Sequence, residues 1–178
     1  KSFSGLSKRH TILFIGSWHP PNLEALEFIV DDLALKFKDC AILVVGSIKD
    51  YYLQKHKSFP NNILAFGTVD EEEKYEIYKL SDIAINPMFS GSGTNLKMLD
   101  YMSAGIPVIT TPIGARGLDV KSYEHVIISS PAEFPKKIAE LLKDKALQER
   151  LKKNGRSLVT EKFSWDKIAL DVFKDLKR

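Results

Sequence analysis

Six short apolar runs punctuate the chain: TILFIGS (11–17), CAILVVGS (40–47), NILAFGT (62–68), SDIAINP (81–87), IPVITT (106–111) and HVIISS (125–130). Each is rich in β-branched residues and apolar on both faces, the pattern of parallel strands covered by helices on either side. Between the runs, apolar positions recur every three or four residues. After Pro20-Pro21, residues 22–38 carry Leu23, Leu26, Ile29, Val30, Leu33 and Phe37 on one side. The same spacing predicts helices over 49–57, 71–80, 94–104, 132–142, 147–159 and 165–176. The helix at 71 opens with three glutamates, which suit the positive end of a helix. Alternation of this kind predicts an α/β fold: a doubly wound, Rossmann-like parallel sheet of about six strands in one domain over 11–178. Residues 1–10, KSFSGLSKRH, read as a polar lead-in or linker, as expected of a piece of a longer protein.

Composition narrows the class without changing the fold. The 178 residues are 44% hydrophobic and 28% charged, which suits a single compact domain with a full core. The net charge of +3 is too small to argue for nucleic acid, and no such partner is expected. Basic residues gather in 136–178, which reads either as a solvated helical face or as a peripheral contact with anionic lipid. The single cysteine, Cys40, excludes a disulfide framework within the chain and reads as a buried core thiol. No apolar stretch approaches the roughly 20 residues that span a bilayer, and no signal peptide is visible, so a cytoplasmic setting is expected.

The chemistry concentrates in SGSGTNLKMLDYMSAG, residues 90–105. In an open parallel sheet, ligands bind beyond the carboxyl ends of the strands, where the strand order reverses. With the common order 3-2-1-4-5-6, that crevice lies between the first and fourth strands, walled by SWHPPN (17–22) and MFSGSG (88–93). Gly91 and Gly93 let the main chain approach a ligand closely. Thr94 is placed to cap the helix, leaving the amides of Asn95, Leu96 and Lys97 to face the crevice, an arrangement that binds phosphate. Lys97 is then a counter-charge to an anion. Two other readings stay open: a solvent-facing lysine, or a pair with Asp100 three residues on.

Several ligand motifs are missing. The first strand ends in GSWHPP, without the dinucleotide fingerprint G-x-G-x-x-G, and GSGTNLK does not fit the P-loop pattern. There is no D-x-D pair, no G-x-S-x-G elbow, and His10, His19, His56 and His125 show no metal-ligand spacing. No metal or cofactor is expected. A receiver domain would need clustered acids after the first strand, where the chain has Gly16-Ser17-Trp18-His19. Trp18 reads equally as a stacking surface for a base or sugar and as a cover for the sheet edge. Trp165 reads as packing for the last helix.

The span 62–118 resembles the donor-binding half of GT-B glycosyltransferases, most closely the retaining family 4. The resemblance rests on GSGTNLKMLDYMSAGIPVITT, the following GARGL, FIGSWHPPN (14–22), FGTV (66–69) and KFSWDKIA (162–169), and covers about residues 11–175. It implies one of two Rossmann-like domains, the one that holds a nucleotide-sugar. The acceptor-binding domain would be an N-terminal partner. The family's first acid, near the donor sugar, falls on Ser92, and its second, on the ribose hydroxyls, falls on Asp100. The amides that hold the distal phosphate fall on Leu96 and Lys97. Thr68 and Val69 fall where the main chain meets the base. Gly16 and Ser17 close the first strand at the donor, and Ser90 to Gly93 shape the sugar pocket.

The chain departs from this pattern twice. Ser92 carries no charge where the family has a glutamate. The arginine and lysine that neutralise the diphosphate are replaced by Ser17 and Asn22, which leaves Lys97, His19 or Arg116 to take their place. The implied function is to bind a nucleotide-diphospho-sugar for transfer of its glycosyl group to a hydroxyl of a glycan or lipid-linked acceptor. Retention and independence of metal are implied too. No catalytic base is assigned, and the domain alone is expected to turn over poorly. The competing reading is a non-catalytic nucleotide-sugar binding module of the same fold. The cytoplasm, up to the inner face of the membrane, is the expected location.

Overall fold

A computed structural model describes residues 9–175. The element order is strand and helix in alternation: β1 (Thr11–Ile15), α1 (Pro20–Phe28), α2 (Ala34–Lys36), β2 (Ala41–Val45), α3 (Ile48–Lys55), β3 (Ile63–Phe66), α4 (Glu71–Leu80), β4 (Ile83–Asn86), α5 (Leu96–Ser103), β5 (Val108–Thr110), α6 (Pro112–Ala115), β6 (Ile127–Ile128), α7 (Phe134–Lys143), α8 (Lys145–Lys162) and α9 (Trp165–Asp175). The sheet has the order β3-β2-β1-β4-β5-β6, with every pair parallel. The expected doubly wound architecture is therefore present, and the order reverses between β1 and β4.

Side chains alternate across the sheet. Ile12 and Phe14 of β1 point to one face, where they meet Leu26, Ile29 and Leu33, Ile48 of α3, and Phe134 and Ile138 of α7. Leu13 points to the other, where it meets Ile77 of α4 and Met98, Tyr101 and Met102 of α5. Both layers are almost fully buried, and Cys40 lies at the edge of the first as a buried free thiol. Burying one such side chain stabilises the fold by roughly 1.5–3 kcal/mol, so the two layers supply most of what fixes the crevice walls.

Several boundaries differ from the sequence reading. The strands are shorter than their apolar runs, because the chain leaves the sheet at Gly16 and Gly46. The expected helix 22–38 begins at Pro20 and is interrupted by a π turn, Ile29–Leu33, before α2. The expected helix 94–104 is α5, whose cap position is Asn95, not Thr94. Thr94 is drawn elsewhere: Gly117, at φ +78°, packs so closely that a Cβ there would lie 2.5 Å from the Thr94 hydroxyl. Residues 131–133 form a 3-10 turn ahead of α7, and α8 runs longer than 147–159 at both ends. The short α6 has no counterpart in the sequence reading; Thr111 caps it by accepting from the Gly114 amide at 3.0 Å. Trp165 is 85% exposed rather than packed. Residues 1–8 of the lead-in and Leu176 lie outside the described residues. No helix among the described residues is long and apolar enough to cross a membrane.

Candidate functional site

At the switch point, a cavity of about 490 Å³ opens between the loop after β1 and the loop that leads into α5. One wall holds Ser17, Trp18, His19, Pro21 and Asn22. The other runs from Ser90 through Gly91, Ser92, Gly93, Thr94 and Asn95 to Leu96 and Lys97. The sequence reading placed these two loops opposite each other, and the fold does bring them together. Gly16, Thr68, Val69 and Asp100 stand outside this wall. Gly16 is buried where β1 ends, donating to Val45 O at 2.9 Å. Thr68 and Val69 follow β3, two strands away from β1. Asp100 lies one turn into α5, and its carboxylate meets Lys74 of α4 at 3.5 Å.

The start of α5 carries no side-chain cap and no acid in its first turn. The Met98 amide bonds back to Asn95 O at 2.9 Å. The amides of Leu96 and Lys97, at the first two helical positions, are donors that a helix leaves without an internal acceptor. Of the two glycines ahead of it, Gly91 needs to be glycine, with φ +118°. A side chain at Gly93 would meet nothing within 4 Å, so Gly93 keeps the loop open rather than enabling its backbone.

Lys97 resolves between the three readings left open by sequence. It is neither solvent-facing nor paired with Asp100. Its Nζ donates to Asn22 Oδ1 at 2.7 Å and sits 4.7 Å from the centroid of the Phe14 ring. Burial of that ammonium pulls its pKa from 10.5 to about 7. Asn22 is buried, and its Nδ2 donates to the Ser17 carbonyl at 3.0 Å. The residue standing where the family has a lysine is thus bonded to a lysine delivered from the opposite wall.

Other contacts brace the loop and escaped the sequence reading. Ser90 donates to Glu24 Oε2 of α1 at 2.6 Å, which brings a carboxylate to the loop that lacks one at Ser92. Arg116, beyond α6, donates to the Gly91 carbonyl. The main-chain amide of Trp18 donates to Ser47 Oγ at 3.0 Å, its ring lies 6.0 Å from that of Tyr51, and the side chain is 60% exposed at the mouth. Behind the cavity, the Ile15 amide donates to the hydroxyl of the fully buried Tyr101 at 2.7 Å, tying the end of β1 to α5. Burial holds the Tyr101 phenol well above its ordinary pKa, so it stays neutral. No cluster of three His, Cys, Asp or Glu side chains suited to a metal occurs among the described residues.

Comparison with known proteins adds a family. The sequence model described as glycosyl transferases group 1 matches residues 9–144. An uncharacterised protein of the cps region of Klebsiella pneumoniae is 27% identical over 92% of this chain and 45% of its own length. A phosphatidyl-myo-inositol mannosyltransferase of Mycobacterium leprae is 24% identical over the same shares. The chain thus spans about half the length of these curated relatives. Among solved structures, the C-terminal domain of a glycosyl transferase group 1 family protein of Francisella tularensis superposes with a TM-score of 0.67. It is 24% identical over 89% of this chain and 87% of that one. HepE of Anabaena, in complex with UDP-glucose, superposes with a TM-score of 0.80 at 16% identity, over 97% of this chain and 50% of that one.

Proposed function

The chain belongs to the glycosyl transferases group 1 family, and from that premise we propose that its crevice binds the diphosphate of a nucleotide-sugar whose glycosyl group is then transferred to a hydroxyl. One observation carries this reading. The buried cation of Lys97 faces the cavity with no carboxylate bonded to it, beside a helix start whose amides have no acceptor of their own. A dianion supplies both needs at once. The departing nucleoside diphosphate gains negative charge as the glycosidic bond breaks, and preorganised amides with a fixed cation stabilise that charge in place of a metal.

Each residue has a role in this reading. The Leu96 and Lys97 amides and the Lys97 ammonium hold the phosphates, with Ser17, Thr94 and Asn95 shaping the wall around them. Asp100, steadied by Lys74, receives the ribose hydroxyls. Thr68 and Val69 meet the base with their main chain. Ser90, Gly91, Ser92 and Gly93 form the sugar pocket, and Glu24, held by Ser90, supplies the carboxylate that Ser92 does not. Gly16 lets the first strand end under the donor. The acceptor, a glycan or a lipid-linked hydroxyl, is bound by an N-terminal domain that closes over this one, and transfer proceeds with retention. A lipid-linked acceptor agrees with the mannosyltransferase relative, whose printed name gives a phosphatidylinositol. The basic α8 is then turned to the inner face of a membrane, in the cytoplasm.

The test is titration of the protein with UDP, GDP and ADP and with their hexose conjugates, read by calorimetry and by melting temperature. One base series binds and raises the melting point, as a ligand selective for the native state must. If no nucleotide of any series binds, the donor-site reading falls.

A further inference from the structure

A lysine among carboxylates is kept charged by its neighbours. Lys97 has no such neighbours. Its ammonium rests between a neutral amide oxygen, Asn22 Oδ1, and the ring of Phe14. The charged and titratable groups on the surrounding elements are engaged elsewhere. Asp100 on the same helix meets Lys74 of α4, and Glu24 of α1 accepts from Ser90. Arg116, beyond α6, donates to Gly91 O. His19, before α1, shares the cavity wall and adds only positive charge when protonated. β1 presents no ionisable side chain, and among the described residues Lys97 forms no ion pair.

Asn22 controls the aim. Its amide can satisfy both partners in one orientation only: Nδ2 toward the Ser17 carbonyl, Oδ1 toward the ammonium. Turned over, it would set a donor against a donor and an acceptor against an acceptor. The loop after β1 therefore fixes a side chain that originates 75 residues later.

Resting on the donor-site reading, we propose that Asn22 is a positioning residue for Lys97 and that the donor diphosphate completes the charge of Lys97, so that binding takes up a proton. The physical basis is burial without compensation. In the free protein Lys97 loses its proton as pH rises through about 7. A diphosphate beside it favours the ammonium and raises its pKa. Between the free and bound values, binding weakens by up to about tenfold per pH unit, because the proton must be drawn from solution. Below the free value the ammonium is already formed and the dependence disappears.

A nucleotide-sugar is the appropriate probe, since both of its phosphates are esterified and do not titrate near neutrality. UDP-, GDP- and ADP-hexoses are titrated by calorimetry in buffers of different ionisation enthalpy; the slope gives the protons taken up. At pH 8 the wild type takes up close to one proton per donor bound, and at pH 6 about a tenth of one. Asn22→Asp places a carboxylate against the ammonium and charges it in advance, so uptake at pH 8 vanishes while the fold is retained. Lys97→Met also abolishes uptake, with weaker binding, and His19→Gln leaves uptake in place. A purely structural Asn22 would change the melting point and leave the proton count alone. Donor binding at pH 8 with no proton uptake overturns this inference and leaves the donor site standing. No binding of any probe removes both.

Discussion

Helices α4 and α5 start at the same end of the sheet and pack on the same face, yet their first turns are opposites. In α4, Asp70 caps the helix by accepting from the Glu73 amide at 2.8 Å, and Glu71, Glu72 and Glu73 fill the turn with negative charge. In α5 the cap position makes no side-chain bond, no acid is present, and the second residue is a lysine. The first is a helix that satisfies its own positive end. The second leaves that end for something else. Local propensity alone would favour the α4 arrangement at both places. The difference therefore marks α5 as the turn whose partner comes from outside the chain, and the cavity opens at α5.

That contrast can be broken at three points. The largest effect is expected from Lys97→Met, which removes the cation while keeping most of the packing. Affinity for the cognate nucleoside diphosphate should fall by about 2 kcal/mol, roughly thirtyfold, the worth of a hydrogen bond to a charged group. Affinity for the nucleoside alone should stay within about twofold. Equal losses for both, measured side by side by calorimetry, would mean that Lys97 shapes the pocket and does not meet phosphate. A smaller effect is expected from Asn95→Asp, which gives α5 the cap that α4 has. The free protein should gain up to about 1 kcal/mol of stability from the helix end. Diphosphate binding should weaken by about fivefold, as the new carboxylate competes for the same amides. A melting curve and a titration on the same sample read both signs. Smallest is Asp70→Ala, which uncaps α4. Stability should drop by about 0.5–1 kcal/mol with diphosphate affinity unchanged. A matching loss of affinity would show that the two helix starts are not independent.

The sequence made the sheet legible because each strand is a continuous β-branched run with no competing period. The location of the cavity followed, since strand order alone puts the 17–22 and 88–93 loops together. What could not be read were contacts set by packing across the crevice. Lys97 meets Asn22, Ser90 meets Glu24 and Arg116 meets Gly91, at separations of 75, 66 and 25 residues. The departures at Ser17, Asn22 and Ser92 were the available signal: missing charges imply that others fill in, without naming them. The cap at Asn95 was misread for a related reason. Thr94 has the better capping side chain, but the tight approach of Gly117 claims it. The π turn was illegible because Ile29, Val30 and Leu33 fit an ordinary helical stripe equally well.

That π turn carries a consequence of its own. A single extra residue in a helix advances everything beyond it by about 100° of rotation. Ile29–Leu33 therefore acts as a phase adjuster, letting Ile29 and Leu33 seat on the sheet while Asn22, at the front of the same rod, faces Lys97. Deleting one residue there should leave a helix of nearly the same length whose two ends no longer agree, with either the core or the crevice thrown out of register.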